Sequence, residues 1–279
     1  MEQFSYKNDM LNVHHSVTQI PDVTRFHLHA HDSFELYFLI EGRGYYTIEG
    51  TDYSFRPGML LIMKEGEVHT SHPSPLTTYD RISINFSKDL FPAEKELLDE
   101  IFGNRPLGKD NLYLLRDESL DIVSKCLERI CEDDDSIPYL TRFTTYLRTV
   151  LLEILRAKRK GMLGEPLLED HPVFGGSSAV VRKLLRYINQ NLTTIQSLDV
   201  LEQKFFFSKS YLNRIFKEST GTSLWGYIIL KRLLLARNLL QEGKQATVVA
   251  SECGFGDYSS FYRQFKEHFG FSPIEARKK

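Results

Sequence analysis

The stretch Gly254-Phe-Gly-Asp-Tyr-Ser-Ser-Phe-Tyr-Arg-Gln-Phe-Lys-Glu-His-Phe-Gly-Phe-Ser-Pro273 decides how the C-terminal third of the chain folds. Just ahead of it, Ala246, Val249, Ala250 and Cys253 recur at i, i+3, i+4 and i+7, which predicts a short helix with one narrow face of small side chains. Gly254 ends that helix, because glycine takes the left-handed backbone of a sharp turn without a Cβ clash. Asp257 is placed to cap a second helix, on which Phe261, Phe265 and Phe269 form the buried stripe. This is a helix-turn-helix. Its outer face presents Tyr258, Ser259, Tyr262 and Arg263, a polar row able to reach base edges in a major groove of double-stranded DNA.

The same unit stands earlier in the chain. Arg214-x-Phe216-Lys217-Glu218-x-x-Gly221-x-Ser223 returns as Arg263-x-Phe265-Lys266-Glu267-x-x-Gly270-x-Ser272, six identities at a constant offset of 49 residues. In this first unit Leu198, Leu201 and Phe205 predict a support helix. Ser208 predicts the cap of a recognition helix with Leu212, Ile215 and Phe216 inside and Ser210, Asn213 and Arg214 outside. Asparagine suits adenine bidentately and arginine suits guanine, so these positions are chemically able to read bases; a phosphate contact is the plainer role for any one of them. Between the units, Trp225, Ile228, Ile229, Leu233, Ala236, Leu239 and Leu240 predict a connecting helix of about 18 residues, ended near Gly243. Lys231, Arg232 and Arg237 on it are expected at the surface or on phosphates.

Two helix-turn-helix units joined by a long helix and closing on Gly-Phe-Ser-Pro resemble the DNA-binding module of the AraC/XylS family of transcription regulators. The resemblance covers roughly the last hundred residues. The first unit departs from the family pattern at Glu202, where a small residue usually stands at the helix crossing, and at Phe206, where glycine or a short polar residue usually turns the chain. Less ideal packing is expected there.

Charge divides the same way. Residues 178–279 hold 16 Lys and Arg against 8 Asp and Glu, a balance of +8, while residues 1–177 hold 19 against 29, a balance of -10. Nucleic-acid binding is therefore expected of the C-terminal part alone. At 42% hydrophobic and 26% charged, the 279 residues read as a two-domain protein of ordinary composition. Cys126, Cys131 and Cys253 form no Cys-x-x-Cys pair and read as reduced core thiols. No leader of basic then apolar residues opens the chain, and the longest apolar runs, Leu36 to Ile40 and Met59 to Met63, are of strand length. A cytoplasmic protein with no membrane partner is expected.

From about Val13 to Phe86 the signals are short strands. Phe34 to Ile40 is aromatic and apolar, Tyr45 to Ile48 and Tyr53 to Phe55 flank a Glu49-Gly50 hairpin turn, and Met59 to Met63 follows Pro57-Gly58. Many short strands predict a small barrel or jelly roll. Within it, His29-x-His31-x-x-x-Glu35 and a later Gly66-x-x-His69 resemble the paired motifs of the cupin barrel. By that resemblance His29, His31, Glu35 and His69 correspond to metal ligands. If His29 and His31 lie on a strand, both face one side, and nitrogen plus carboxylate donors suit a divalent metal. The alternative role for these four is ligand contact in a pocket without metal, with Phe26, Phe34, Tyr37, Phe38, Tyr45, Tyr46 and Tyr53 as candidates to stack on a sugar or similar molecule. Which of these face inward depends on strand register. His14, His15, His27 and His72 are assigned no site.

Beyond the strands, Ile122, Val123, Cys126, Leu127 and Ile130 predict one helix, and Phe143, Tyr146, Leu147, Val150, Leu151 and Ile154 a second. The apolar arc of the second is wide enough either to pack on its own barrel or to pair two subunits, and the family resemblance implies a homodimer. Gly161 to Ser178, broken by Pro166, Pro172 and Gly175-Gly176, reads as a linker.

The expected architecture is α+β in two domains: a cupin-like sensing barrel at 1–90, a helical dimerisation segment at 91–160, a linker at 161–177 and an all-α double helix-turn-helix at 178–279. The resemblance implies a small-molecule effector, possession of no obligatory cofactor, and an activator acting with RNA polymerase. Two other readings fit the motifs: a metal-dependent cupin enzyme fused to a DNA-binding tail, and a constitutive DNA binder whose barrel is only a scaffold.

Overall fold

The structure, a computed structural model, describes residues 2–22, 26–103, 105–167 and 177–277. It falls into two compact units, Met1–Leu168 and Glu169–Lys279.

Unit 1 is built on two facing antiparallel sheets. One has the strand order β1-β2-β8-β3-β6-β9 and the other β5-β4-β7. The strands are β1 (Glu2–Lys7), β2 (Leu11–Thr18), β3 (Phe34–Glu41), β4 (Gly44–Ile48), β5 (Thr51–Ser54), β6 (Met59–Met63), β7 (His69–Pro73), β8 (Tyr79–Phe86) and β9 (Leu112–Leu114). A four-residue helix α1 (Lys95–Leu98), then α2 (Asp117–Ile130) and α3 (Tyr139–Arg159), cover the outside of the larger sheet.

Strand register settles which side chains go where, because alternate residues take opposite faces. Leu36 pairs with Ile84 and Phe38 with Ile82, and these four point out against Val123, Leu127, Phe143, Leu147 and Val150 of the helices. Phe34 joins that outer core and stacks on Phe102 at 4.3 Å. Tyr45 stacks on His72 at 4.3 Å. The opposite face of β3 carries Tyr37 and Leu39 inward to meet Tyr46, Ile48 and Tyr53 of the smaller sheet. Of the seven aromatic candidates, then, Phe34 and Phe38 belong to the helix-facing core.

Two strands lie outside the stretch from Val13 to Phe86 that reads as strands in the sequence, and β9 also lies beyond the expected barrel boundary at residue 90. β1 pairs with β2, and its Phe4 and Tyr6 stack on Tyr139 at the start of α3. β9 pairs with β6, so the chain returns to the sheet after residue 90. Its approach is fixed by Glu67, fully buried, which accepts hydrogen bonds from Arg105, from Gly108 N at 2.8 Å, from Asn111 at 3.1 Å and from Lys64 N at 2.9 Å. A buried carboxylate is tolerated only when its lone pairs are filled in this way. The apolar arc of α3 is likewise used within the chain: Phe143, Leu147, Val150, Leu151, Ile154 and Ala157 are all buried, which leaves Leu140 and Leu152 as its exposed large hydrophobics. Most of the predicted linker, 168–176, lies outside the described residues. Its first part holds to the barrel through Gly164 N to Leu112 O at 2.8 Å and Leu167 N to Asp52 O at 2.7 Å.

Unit 2 is all α: α4 (Ser177–Gln190), α5 (Asp199–Phe205), α6 (Lys209–Thr220), α7 (Leu224–Gln241), α8 (Ala246–Glu252), α9 (Tyr258–Phe269) and α10 (Pro273–Ala276). The repeat is explained by its structural jobs. Gly221 and Gly270 both end a recognition helix at φ 76°. Ser223 and Ser272 both cap the helix that follows, and Phe216 and Phe265 are both fully buried. Ser208 and Asp257 cap α6 and α9 themselves, accepting from Tyr211 N at 3.3 Å and Ser260 N at 2.7 Å.

The connecting helix α7 has the expected 18 residues, but its cations are not at the surface. Lys231, Arg232 and Arg237 are all buried. Arg232 donates to Leu192 O at 2.9 Å and Ile195 O at 2.5 Å before the first unit, and to Gly254 O at 2.7 Å in the turn of the second. Arg237 lies over the ring of Phe269 at 5.5 Å. These residues are structural ties, because a surface phosphate contact requires an exposed head group.

Phe206, at the turn of the first unit, takes φ 58° and is 91% exposed. A left-handed non-glycine residue costs about 1–2 kcal/mol, and glycine's extra freedom in the unfolded chain returns about 0.5–1 of that. Little packing is lost by removing an exposed ring. Phe206→Gly is therefore expected to stabilise the protein by about 0.5–1 kcal/mol, read as a higher denaturation midpoint of the full chain; a lower midpoint would show that the ring packs in a way its exposure hides.

Candidate functional site

The four residues His29, His31, Glu35 and His69 converge. Their ligating atoms all lie within 4.8 Å of one another. Glu35 comes from β3 and His69 from β7, while His29 and His31 come from a loop and not from the expected strand. A single bridge, His29 N to His69 O at 3.0 Å and His69 N to His29 O at 2.8 Å, pins that loop to β7. The i, i+2 relation still serves, since both imidazoles turn toward Glu35 from the bridged segment.

The hydrogen bonding orients the rings. His29 Nδ1 lies 2.7 Å from His27 O and His69 Nδ1 lies 2.8 Å from Glu67 O. Carbonyls only accept, so both Nδ1 atoms carry hydrogen and both Nε2 atoms face inward. His69 Nε2 is buried without a hydrogen-bond partner, although Glu35 Oε2 is 3.0 Å away, and His31 Nε2 is 3.3 Å from the same oxygen. Asn85 donates to that oxygen at 3.0 Å. A neutral imidazole lone pair facing a carboxylate is repulsive, so the gap calls for a positive charge between them. Burial pushes the Glu35 carboxyl up, but the charges of His69 and His31 outweigh it and hold the group well below the usual carboxylate range. Burial pushes His69 down, and Glu35 reverses this to a net rise. Burial, helped by His69, takes His29 down to about 4.

A proton on His69 fills the gap; so would a divalent cation, for which three imidazoles and one carboxylate, two of the rings fixed by backbone carbonyls, are a fitting donor set. In the second case His29, His31, Glu35 and His69 would hold the ion, which supplies an electrophilic anchor for oxygen atoms of a bound molecule.

The barrel opens into a cavity of about 310 Å³ that has His29 and Glu35 of this cluster in its wall. Tyr37, Tyr46 and Tyr79 line it, and Phe26 closes one side, packed edge-on against Tyr79 at 5.6 Å. Tyr37 donates its hydroxyl hydrogen to Tyr79 Oη at 2.6 Å. Thr70 and Ser71 from β7, Arg81 and Ser83 from β8, and His14 and His27 complete the wall. Of these, Thr70, Ser71, Tyr79, Arg81 and Ser83 are absent from the sequence-based candidates, and His14 and His27 were left without a site. The signal was there in β8, where Ile82, Ile84 and Phe86 alternate with Arg81, Ser83 and Asn85; here the polar set faces the interior and the apolar set faces the helices.

On unit 2 the predicted DNA-facing residues fare differently from one another. Ser210, Arg214, Ser259 and Arg263 are exposed, and Tyr258 and Tyr262 are half-buried with rings 6.2 Å apart. Arg214 pairs with Glu218 at 3.2 Å and lies over Tyr211 at 5.4 Å. Arg263 has no ion-pair partner among the described residues. Asn213 is half-buried, and its Oδ1 accepts from Leu224 N at 2.9 Å at the start of α7. With that oxygen committed, Asn213 cannot present both amide atoms to adenine in this arrangement.

Residues 17–138 match a family model described as an AraC-like ligand binding domain, and residues 201–279 match one described as a helix-turn-helix domain. The chain is 25% identical to the HTH-type transcriptional activator RhaS of Escherichia fergusonii over 258 residues, 90% of this chain and 87% of the relative. It is 24% identical to the Msm operon regulatory protein of Streptococcus mutans over 255 residues, 88% and 84% of the two chains. Over 102 residues it is 33% identical to PqrA of Proteus vulgaris, described as a probable transcription factor, which covers 36% of this chain and 84% of that one. Barrel and helical module together thus define a ligand-responsive, DNA-binding transcription regulator. The chain belongs to the AraC/XylS family. The relatives do not favour the reading as an enzyme carrying a DNA-binding tail. Among the described residues no helix is long and apolar enough to cross a membrane.

Two outcomes are expected. Arg263→Ala should cost about 1–3 kcal/mol of specific DNA binding with the fold intact, the size of a lost bidentate base contact; unchanged affinity and unchanged base preference in a titration would remove Arg263 from the reading set. The second concerns pH. His69, raised in the folded state, contributes stability that is full below 6.5 and is lost as pH rises through its folded value. His29, lowered to about 4, opposes folding increasingly as pH falls from 6.5 toward 4. In chelator the melting temperature should therefore peak near neutral pH and fall on the alkaline side, whereas added Zn²⁺ or Mn²⁺ should remove the alkaline fall; an alkaline fall that no divalent metal alters would leave the proton as the occupant.

Proposed function

We propose that this protein activates genes for the use of a sugar or other small metabolite when that molecule occupies the barrel cavity. The observation that carries the reading is a polar, tyrosine-lined cavity of about 310 Å³ in the same chain as two intact helix-turn-helix units. Cavities of this size with a few convergent polar groups bind small molecules. The name of the Escherichia fergusonii relative, a transcriptional activator, supports activation over repression. His29, His31, Glu35 and His69 form one end of the effector site, with or without a divalent metal among them. Two copies pair through the outer face of α3 around Leu140 and Leu152, the bound protein contacts RNA polymerase, and the protein works in the cytoplasm.

The reading is tested with a reporter gene placed behind a promoter that the protein binds, and with metabolite extracts as the inducer source. His31→Ala and Glu35→Ala should abolish induction while specific DNA binding in vitro stays within about twofold. Wild-type levels of induction in both variants would make these residues structural and detach the cavity from regulation.

A further inference from the structure

Arg81 is a cavity-lining group that takes no part in the His and Glu cluster. It stands on β8, flanked by Ser16 of β2 and Leu39 of β3 in the sheet register. Its Nη1 donates to Ser16 O at 3.3 Å and to Thr18 Oγ1 at 3.2 Å, and its guanidinium lies 4.3 Å from the centre of the Tyr79 ring and 5.9 Å from that of Phe26. The head group is held in place from two sides. Its charge is not matched: among the described residues no carboxylate lies within ion-pair distance of it, and the neighbouring Asp80 points to the other face of the strand, paired with His15 at 2.9 Å. The acid that lines the cavity, Glu35, has its Oε2 facing His69 Nε2 at 3.0 Å, His31 Nε2 at 3.3 Å and the Asn85 amide at 3.0 Å.

The cavity therefore has two different ends. Glu35 lies opposite Asn85 in the register, four residues along β8 from Arg81, a separation of about 14 Å between backbone positions before either side chain reaches inward. With Nη1 spent on Ser16 and Thr18, the Nε and Nη2 edge of Arg81 carries no hydrogen bond to the described residues. That edge is a planar pair of donors matched to the two oxygens of a carboxylate, and a guanidinium in a concave wall attracts anions.

We propose that the effector is an acidic polyol, a monosaccharide-sized carboxylate such as a uronic or aldonic acid, whose carboxylate pairs side-on with Arg81 and whose hydroxyls reach Glu35, Ser71 and Thr70. The proposal rests on the effector-gated reading above and names the chemical class that the cavity selects.

The test is calorimetric titration of the full chain with matched neutral and acidic pairs: D-galactose against D-galacturonate and D-galactonate, D-glucose against D-glucuronate and D-gluconate, with D-glucose 6-phosphate as a second kind of anion. Each is followed by DNA-binding titration in the presence of the same compound. At least one carboxylate should bind tenfold or more tightly than its neutral partner. That preference should fall below twofold in Arg81→Gln and persist, reduced, in Arg81→Lys, which keeps the charge without the fork and guards against a folding defect in the first variant. Equal binding of neutral and acidic partners, an acid preference that survives Arg81→Gln, tighter binding of the phosphate ester than of every carboxylate, or no binding by any acid would each overturn the proposal. A neutral sugar that binds and alters DNA occupancy would overturn it while leaving effector gating standing.

Discussion

The guanidinium of Arg232 is the interaction on which the C-terminal module depends. It sits buried in the middle of α7 and donates to carbonyls from two places far apart in the chain, Leu192 and Ile195 before the first helix-turn-helix and Gly254 in the turn of the second. Burial lowers its pKa, yet an arginine remains charged, so the carbonyl dipoles must do for it what water does at the surface. Gly254 is bound into the same arrangement. At φ 81° a Cβ there would stand 2.4 Å from Thr193 O and 3.0 Å from the Arg232 guanidinium, so no larger residue fits the turn without moving the clamp. The consequence is geometric. α7 becomes a fixed spacer between the two units, and a polar row on α9 acquires a defined position relative to the one on α6.

The barrel works by the opposite distribution of polarity from the usual one-sided sheet. Its larger sheet sends Leu36, Phe38, Ile82 and Ile84 outward under α2 and α3, where the core of unit 1 is built. That frees the inner face to carry Glu35, Tyr37, Arg81 and Ser83 around a cavity. Each buried polar group then has to be satisfied internally. Tyr37 and Tyr79 satisfy each other, Glu67 is filled by Arg105 and its neighbours, and among the buried atoms left without a hydrogen-bond partner His69 Nε2 is the one that belongs to the His and Glu cluster. That atom faces Glu35 in the cluster whose donor set suits an ion.

How much of this could be read in the sequence depended on how local the cause was. The caps Ser208 and Asp257 and the left-handed Gly254 are decided by a few adjacent residues and were legible, as was the 18-residue α7; the offset of 49 marked Gly221 and Gly270 with Ser223 and Ser272 as equivalent without assigning their roles. Phe206 was legible as a misfit at a turn, and its φ of 58° is the form that misfit takes. What stayed hidden depends on contacts across the fold. The return of β9 to the sheet requires Glu67 to find Arg105, 38 residues away. The burial of Arg232 and Arg237 requires partners 40 and 32 positions off, and a basic residue on a helix looks the same in sequence whether it meets phosphate or a carbonyl cage. Asn213 had the right chemistry for a base and the right helix, but the neighbouring Leu224 N–H claims its oxygen. The apolar arc of α3 was visible, and only the packed structure shows that its own barrel uses most of it.

The layout of unit 2 leads to the expectation that one chain reads two successive major-groove segments through recognition helices held at a fixed spacing. α7, at 18 residues, is about 27 Å long, and successive major-groove segments on one face of the duplex lie about 34 Å apart. The most direct measurement is footprinting of the full chain on its binding site and on a copy with five base pairs inserted between the two halves. Two short protected patches about 10 base pairs apart are expected, with loss of one of them on insertion, since the second helix would then face the wrong side of the duplex. A single patch on the native site, or two patches that tolerate the insertion, would contradict it.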